Sequence, residues 1–280
     1  MAKTVPAQKI TVLPGLWHEE AVSPENLKKF KDIDILVIDA SEFTTYEIFL
    51  IHQTGCKVYS YLNIGSLEQN RAYYDDYSHL CFKDYENWPD EKWIDVTSPD
   101  WQKKCINIGR TYVDNGVDGF FIDNVDVYEE MLSLKNKKGK NLYSAKAVKA
   151  GIDTILKGLS KENLAPLSIS DSDHPDIILN CGFEYIKAKL KDNKKIYFNG
   201  VCQECVYTTV HSYDPPVFSK STDENKKYYS KILTSYHKKG LSVWLIEYSN
   251  DALLTEQIKN TANKKGWSAF ISTSLALSHP

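Results

Sequence analysis

Short apolar runs recur along the chain, and the stretches between them place apolar residues at helical spacing. The runs centre on Ile10-Thr11-Val12-Leu13, Ile35-Leu36-Val37-Ile38, Val58-Tyr59-Ser60-Tyr61-Leu62, Phe120-Phe121-Ile122 and Ile177-Ile178-Leu179. Three more follow: 196–204, Val243-Trp244-Leu245-Ile246 and Ala269-Phe270-Ile271. Short apolar runs flanked by helical patterns read as parallel strands buried on both faces. Helices are expected from 23, over 44–54, 99–115, 144–159, 183–191, 223–239 and 255–265. Ser23-Pro24-Glu25 has the form of a helix start, with Ser as cap, Pro in the first turn and an acid behind it. Gly55, Gly116, Gly240 and Gly266 stand where helical patterns stop. Eight runs alternating with helices, with no second composition regime, predict an α/β chain forming a single (β/α)8 barrel over 1–280. An open doubly wound sheet would more often carry a Gly-rich fingerprint after its first strand, and none is present.

Residues 70–96 interrupt the alternation. Tyr73, Tyr74, Tyr77, Tyr85, Trp88 and Trp93 crowd a polar stretch that follows the third strand. A connection of this length in a compact domain is usually functional or disordered. Its aromatic content argues for order, so it is expected to form a lid or cleft wall over the C-terminal ends of the strands.

Composition changes the picture little. The chain has 280 residues, 25% of them charged and 42% hydrophobic, as in an ordinary globular protein. A net charge of −3 argues against a general nucleic-acid binder. No apolar run approaches the ~20 residues of a membrane span. Met1-Ala2-Lys3-Thr4 opens no signal-peptide core. The six cysteines form no disulfide framework, and Cys202 and Cys205 on one strand would face opposite sides, away from a shared metal. Lys135 to Lys140 reads as a solvated basic loop, lacking the strand and helix that frame a phosphate site. A monomer is expected, with no cofactor.

Acids and amides close the apolar runs. Asp39, Asn63, Asp123, Asn180, Glu204 and Glu247 stand at predicted strand ends. Strand alternation puts Asp39 on the face of Ile35 and Val37, Asp123 on that of Phe121, Glu204 on that of Cys202, and Glu247 on that of Leu245. The C-terminal rim of such a barrel is where its chemistry lies. Carboxylates gathered there split into one ionised and one protonated group, as a nucleophile or base and a general acid require. A divalent metal is the rival use of the same acids, though the histidines mostly miss the strand ends, and His174 and His211 read as polar loop residues. No nucleophile elbow is visible. A sugar-binding barrel without catalysis also remains open.

Four segments together resemble glycoside hydrolase family 114. They are Tyr59-Ser60-Tyr61-Leu62-Asn63-Ile64-Gly65-Ser66-Leu67-Glu68 with Arg71, Trp93-Ile94-Asp95, Gly119 to Asp126, and Gln203-Glu204-Cys205-Val206-Tyr207. The resemblance implies an endo-acting enzyme on α-1,4-linked galactosamine or N-acetylgalactosamine polymers, with catalysis carried by Asp123 and Glu204. It implies a substrate-binding set of Asp39, Tyr61, Glu68, Arg71, Asn124, Asp126, Asn180, Tyr207 and Glu247. Asp39, Glu68 and Glu247 would then pair with the amino groups of a cationic sugar. The family also implies a secreted or cell-surface protein, although this chain shows no leader.

Overall fold

The computed structural model describes residues 6–86, 88–160, 175–192 and 195–279. His174 lies outside these. Eight strands form one parallel sheet in the order β1-β2-β3-β7-β8-β9-β12-β13, with helices between them, the layout of a (β/α)8 barrel. They are β1 (Ile10–Val12), β2 (Ile35–Ile38), β3 (Lys57–Asn63) and β7 (Gly119–Asp123), then β8 (Asp176–Asn180), β9 (Gly200–Glu204), β12 (Ser242–Tyr248) and β13 (Ser268–Ser272). All four residues of β2 are buried, as a strand covered on both faces requires.

The chain divides into two compact units, one of residues up to 61, 115–119 and from 199 onward, the other of 62–114 and 120–198. In the first, the Gln8 amide donates to Ser268 Oγ at 2.9 Å, tying the approach to β1 to the start of β13. Tyr59 and Trp244 stack with ring centroids 5.9 Å apart. Asp118 accepts from the Val58 amide (2.7 Å) and meets His52 Nε2 (2.8 Å). The helix Thr45–His52 opens on a capping box, Thr44 and Glu47 each satisfying the other's backbone amide.

In the second unit the helices Pro99–Asp114 and Ala145–Leu159 pack face to face. A Cβ at Gly109 would overlap the Leu159 side chain, which would have to shift to admit it. The helix Phe183–Lys191 is tied to its neighbour through Asp153. Tyr185 Oη donates to that carboxylate at 2.7 Å, and the buried Lys189 ammonium pairs with it at 2.6 Å.

Three expectations change. The stretch 70–96, expected as an ordered connection, contributes two strands that were not foreseen: β6 (Glu91–Ile94) pairs antiparallel with β4 (Ser66–Glu68) on one side and with β5 (Cys81–Asp84) on the other, in a separate small sheet. The sixth barrel strand starts at Gly200, not 196. The chain after Glu204 forms an antiparallel hairpin, β10 (Thr208–Tyr213) and β11 (Pro216–Lys220), which the polar pattern of those residues did not reveal. His211 belongs to it, its Nε2 2.5 Å from Ser219 Oγ. A helix at Val127–Ser133 and an earlier start at Ala252 for the last helix were also unforeseen.

Candidate active site

In the second unit, the C-terminal ends of β3, β7 and β8 and the small sheet converge on Asp123. Asp123 Oδ1 accepts from the Asn180 carboxamide (2.9 Å) and from the Asn124 backbone amide (2.9 Å). Asn124 is left-handed, at φ 56°, and its carboxamide nitrogen donates to Ser66 Oγ at 2.8 Å. Asn63 donates to the same Ser66 oxygen at 2.7 Å, and its own carbonyl accepts from the amides of Gly65 and Ser66. A Cβ on Gly65 would overlap the Asn124 carbonyl, so this approach needs glycine.

The aromatic connection reaches the same place. Tyr85 stacks on Trp93 at 4.4 Å and its hydroxyl donates to Asn124 Oδ1 at 3.4 Å. Burial, reinforced by Asp126, Asp123 and Glu91, raises the Tyr85 phenol far above its ordinary value. Glu91, from β6, accepts from the Ser66 hydroxyl and from Asn63 and Asn124. Burial pushes its carboxyl up to about 7, against the pull of the Ser66 hydrogen bond and with the repulsion of Glu68 and Asp123. Asp126 is also raised to about 7, by burial first and then by Asp123 and Glu129. Its Oδ1 is buried without a hydrogen-bond partner among the described residues. Glu68 pairs with Arg71 and lines a cavity of about 510 Å³ with Gln69, Asn70, Trp88, Asp90 and Glu91. Trp88 is 43% exposed there.

In the first unit, Glu204 ends β9, and Tyr248 at the end of β12 donates its hydroxyl to Glu204 Oε2 at 2.8 Å. Burial and the nearby Glu204 charge hold that phenol well above its ordinary value. The Tyr248 ring stacks on Phe218 of the hairpin at 5.7 Å, beside a cavity of about 450 Å³ lined also by Lys220, Asn250, Asp251 and Gln257.

Glu247, expected to contact substrate, is 0% exposed. Its oxygens accept from the amides of Val206, Tyr207 and Thr208 at 2.9–3.1 Å and from the Thr208 hydroxyl at 2.6 Å. With four donor groups turned onto it, this carboxyl holds the turn after Glu204 and faces no solvent. Burial raises it to about 7 while these hydrogen bonds pull it down. Asp39 is nearly buried and caps a short 3-10 turn, accepting from the Ser41 amide (3.0 Å) and hydroxyl (2.7 Å). Tyr61 lies within β3, half-buried. Tyr207 lies above Glu247 with its hydroxyl 3.4 Å from Ser230 Oγ.

Thus the structure gathers Asp123, Asn124, Asp126 and Asn180 in one unit and Glu204, Tyr207 and Glu247 in the other. Glu91 and Tyr248 join these networks without having been singled out in the sequence, whereas Tyr85 belongs to the aromatic stretch expected to wall the cleft. The only trace of the first two was the density of aromatic residues in 70–96 and the polar end of the run at 242–247. Among the described residues, no three His, Cys, Asp or Glu side chains converge as a metal site would need.

A family model described as "Glycoside-hydrolase family GH114" matches residues 16–277. No curated protein sequence matches the chain. Among solved structures, the glycoside hydrolase domain of PelA from Pseudomonas aeruginosa superposes with a TM-score of 0.74 at 14% identity, over 98% of this chain and 97% of that one. The structure of Aspergillus fumigatus Ega3 in complex with galactosamine gives 0.69 at 18% identity, over 99% and 96%. An α-galactosidase from Thermus thermophilus gives 0.61 at 9% identity, over 100% of this chain and 60% of that one. At these identities the likeness carries the fold.

Proposed function

The chain belongs to glycoside hydrolase family GH114, and from that premise we propose that it is an endo-acting hydrolase of α-1,4-linked galactosamine or N-acetylgalactosamine polysaccharide, with Asp123 and Glu204 as its carboxyl pair. The sugar in this reading comes from the galactosamine bound to Ega3. The observation that carries the residue assignment is the difference between the two carboxyls. Both close parallel strands of one sheet, yet their partners differ in kind.

Asp123 Oδ1 receives two N–H donors, a setting that suits a charged carboxylate. It is assigned as nucleophile, or as the base that positions water at the anomeric carbon. Glu204 is assigned as the acid that protonates the leaving oxygen, with the Tyr248 hydroxyl fixing its orientation. Retention through a covalent intermediate needs the carboxyls about 5–5.5 Å apart, and inversion through a bound water about 6.5–9.5 Å. Asn180, Asn124 and Asp126 surround the reacting end, while Glu68, Arg71 and Asp39 are assigned to the sugar's polar groups. Tyr61 and Tyr207 are assigned as its apolar contacts.

The test assays Asp123→Asn and Glu204→Gln on partly deacetylated α-1,4-galactosaminogalactan and on an activated aryl glycoside. On the polymer, loss of the acid costs ~10²–10⁴-fold, and loss of the nucleophile more. The good leaving group should rescue Glu204→Gln and leave Asp123→Asn inactive. Full polymer activity in either variant would sink the pair, and equal loss on both substrates would argue against the assigned roles.

A further inference from the structure

Glu91 is a half-buried acid that the chemistry above does not use, and it comes from an insertion rather than from a barrel strand. We propose that Glu91 is a positioning residue for Asp123, acting through Ser66 and Asn124; the inference rests on Asp123 being catalytic. The route is short and continuous. Glu91 Oε2 takes the Ser66 hydroxyl proton in a hydrogen bond and lies 3.3 Å from the carboxamide nitrogens of Asn63 and Asn124. With its proton committed to Glu91, the Ser66 oxygen is left to accept, and it accepts from Asn63 and Asn124. Asn124 is thereby fixed at its carboxamide nitrogen, while Tyr85 holds its carboxamide oxygen from the same insertion.

The backbone amide of Asn124 in turn donates to Asp123 Oδ1. Asn124 sits at φ 56°, in the left-handed region that Asn adopts more readily than most residues with a side chain. Removing Glu91 frees the Ser66 hydroxyl to rotate, costs Asn124 its anchor and lets the amide swing off the carboxylate. The charges that act on Glu91 include Glu68, which pairs with Arg71, and Asp123. The acceptor role of Glu91 follows from the donors aimed at it.

The experiment compares Glu91→Ala, Glu91→Gln and Asp123→Asn on partly deacetylated α-1,4-galactosaminogalactan, with kcat and KM resolved and Tm recorded for each. Glu91→Ala should lower kcat by about 10- to 100-fold, the scale expected of a misplaced reacting group, with KM within about twofold. Glu91→Gln keeps an acceptor for Ser66 and should recover kcat to within a few-fold of the native enzyme. Loss in Gln equal to that in Ala would overturn positioning in favour of a need for the charge. A change confined to KM would also overturn it. If Glu91→Ala does not fold, the Gln variant decides alone: native-like kcat supports the inference and a loss of 10-fold or more, about 1.4 kcal/mol, refutes it. Native activity in Glu91→Ala with an inactive Asp123→Asn would defeat this inference only. An active Asp123→Asn would defeat the catalytic reading beneath it.

Discussion

At the scale of single residues, two side chains next to the proposed catalytic acids give separable expectations, Tyr248 at Glu204 and Asp126 near Asp123. Tyr248 donates to Glu204 Oε2 at 2.8 Å from a buried position, so Tyr248→Phe keeps the ring and its stack on Phe218 while deleting one hydrogen bond. A typical intramolecular hydrogen bond is worth roughly 0.5–1.5 kcal/mol. At the high end kcat should fall about 10-fold with KM little changed, as steady-state kinetics on the polymer would show. An unchanged kcat would mean the hydroxyl does not orient the acid. Asp126 offers a stability test. Its folded carboxyl is raised to about 7 from the ordinary 3.8, by burial and by Asp123, so the folded state holds a proton that the unfolded chain releases. The contribution is full below about pH 4 and disappears as pH rises to 7, a loss on the order of 4 kcal/mol before solvent screening. Asp126→Asn carries no such titration. Urea unfolding at pH 5 and pH 8 should therefore show the variant gaining on the native protein as pH rises. A gain that is constant across that range would show that Asp126 does not titrate there.

At the scale of elements, three adjacent barrel strands end in the same way. Asn124, Cys181 and Cys205 are left-handed, and they directly follow Asp123, Asn180 and Glu204. The sharp reversal ends each strand at its polar residue. Asn tolerates this conformation, whereas cysteine bears a strain of roughly 1–2 kcal/mol. Such strain persists where surrounding contacts over-determine the backbone, and it clusters at functional sites. Beneath Cys205 those contacts come from Glu247, whose carboxyl gathers the next three amides. Cys205→Gly is therefore expected to match or exceed the native stability in urea unfolding. Cys205→Val, β-branched, should lose about 2 kcal/mol. Equal stability of the two variants would show that the turn is not strained.

At the scale of the whole molecule, acids outnumber bases, 37 Asp and Glu against 34 Lys and Arg, and Glu68 and Asp90 line one cavity with Trp88. A negative field attracts a cationic polymer and is screened by salt, with a Debye length near 10 Å at 0.1 M and near 3 Å at 1 M. KM on free-amine galactosamine polymer should rise across that salt range, while KM on the fully N-acetylated polymer should stay flat. Equal salt dependence for both would remove charge from substrate choice.

The sequence by itself determined the elements whose cause is local. The period of apolar residues marked all eight barrel strands, and a polar residue closing an apolar run marked Asp123, Asn180 and Glu204, because burial ends where the strand reaches the rim. Capping chemistry marked the helix start at Ser23 for the same reason, since donor and acceptor lie three residues apart. Tertiary structure alone decided which side chains meet. Glu91 stands 33 residues from Asn124, and Tyr248 stands 44 from Glu204. Neither pairing leaves a periodic trace, because it depends on strand order and on how an insertion folds back. The fate of Glu247 was decided the same way. Alternation along its strand places it on a face, but only the packing of the turn at 205–208 covers that face and converts an expected sugar contact into a buried anchor.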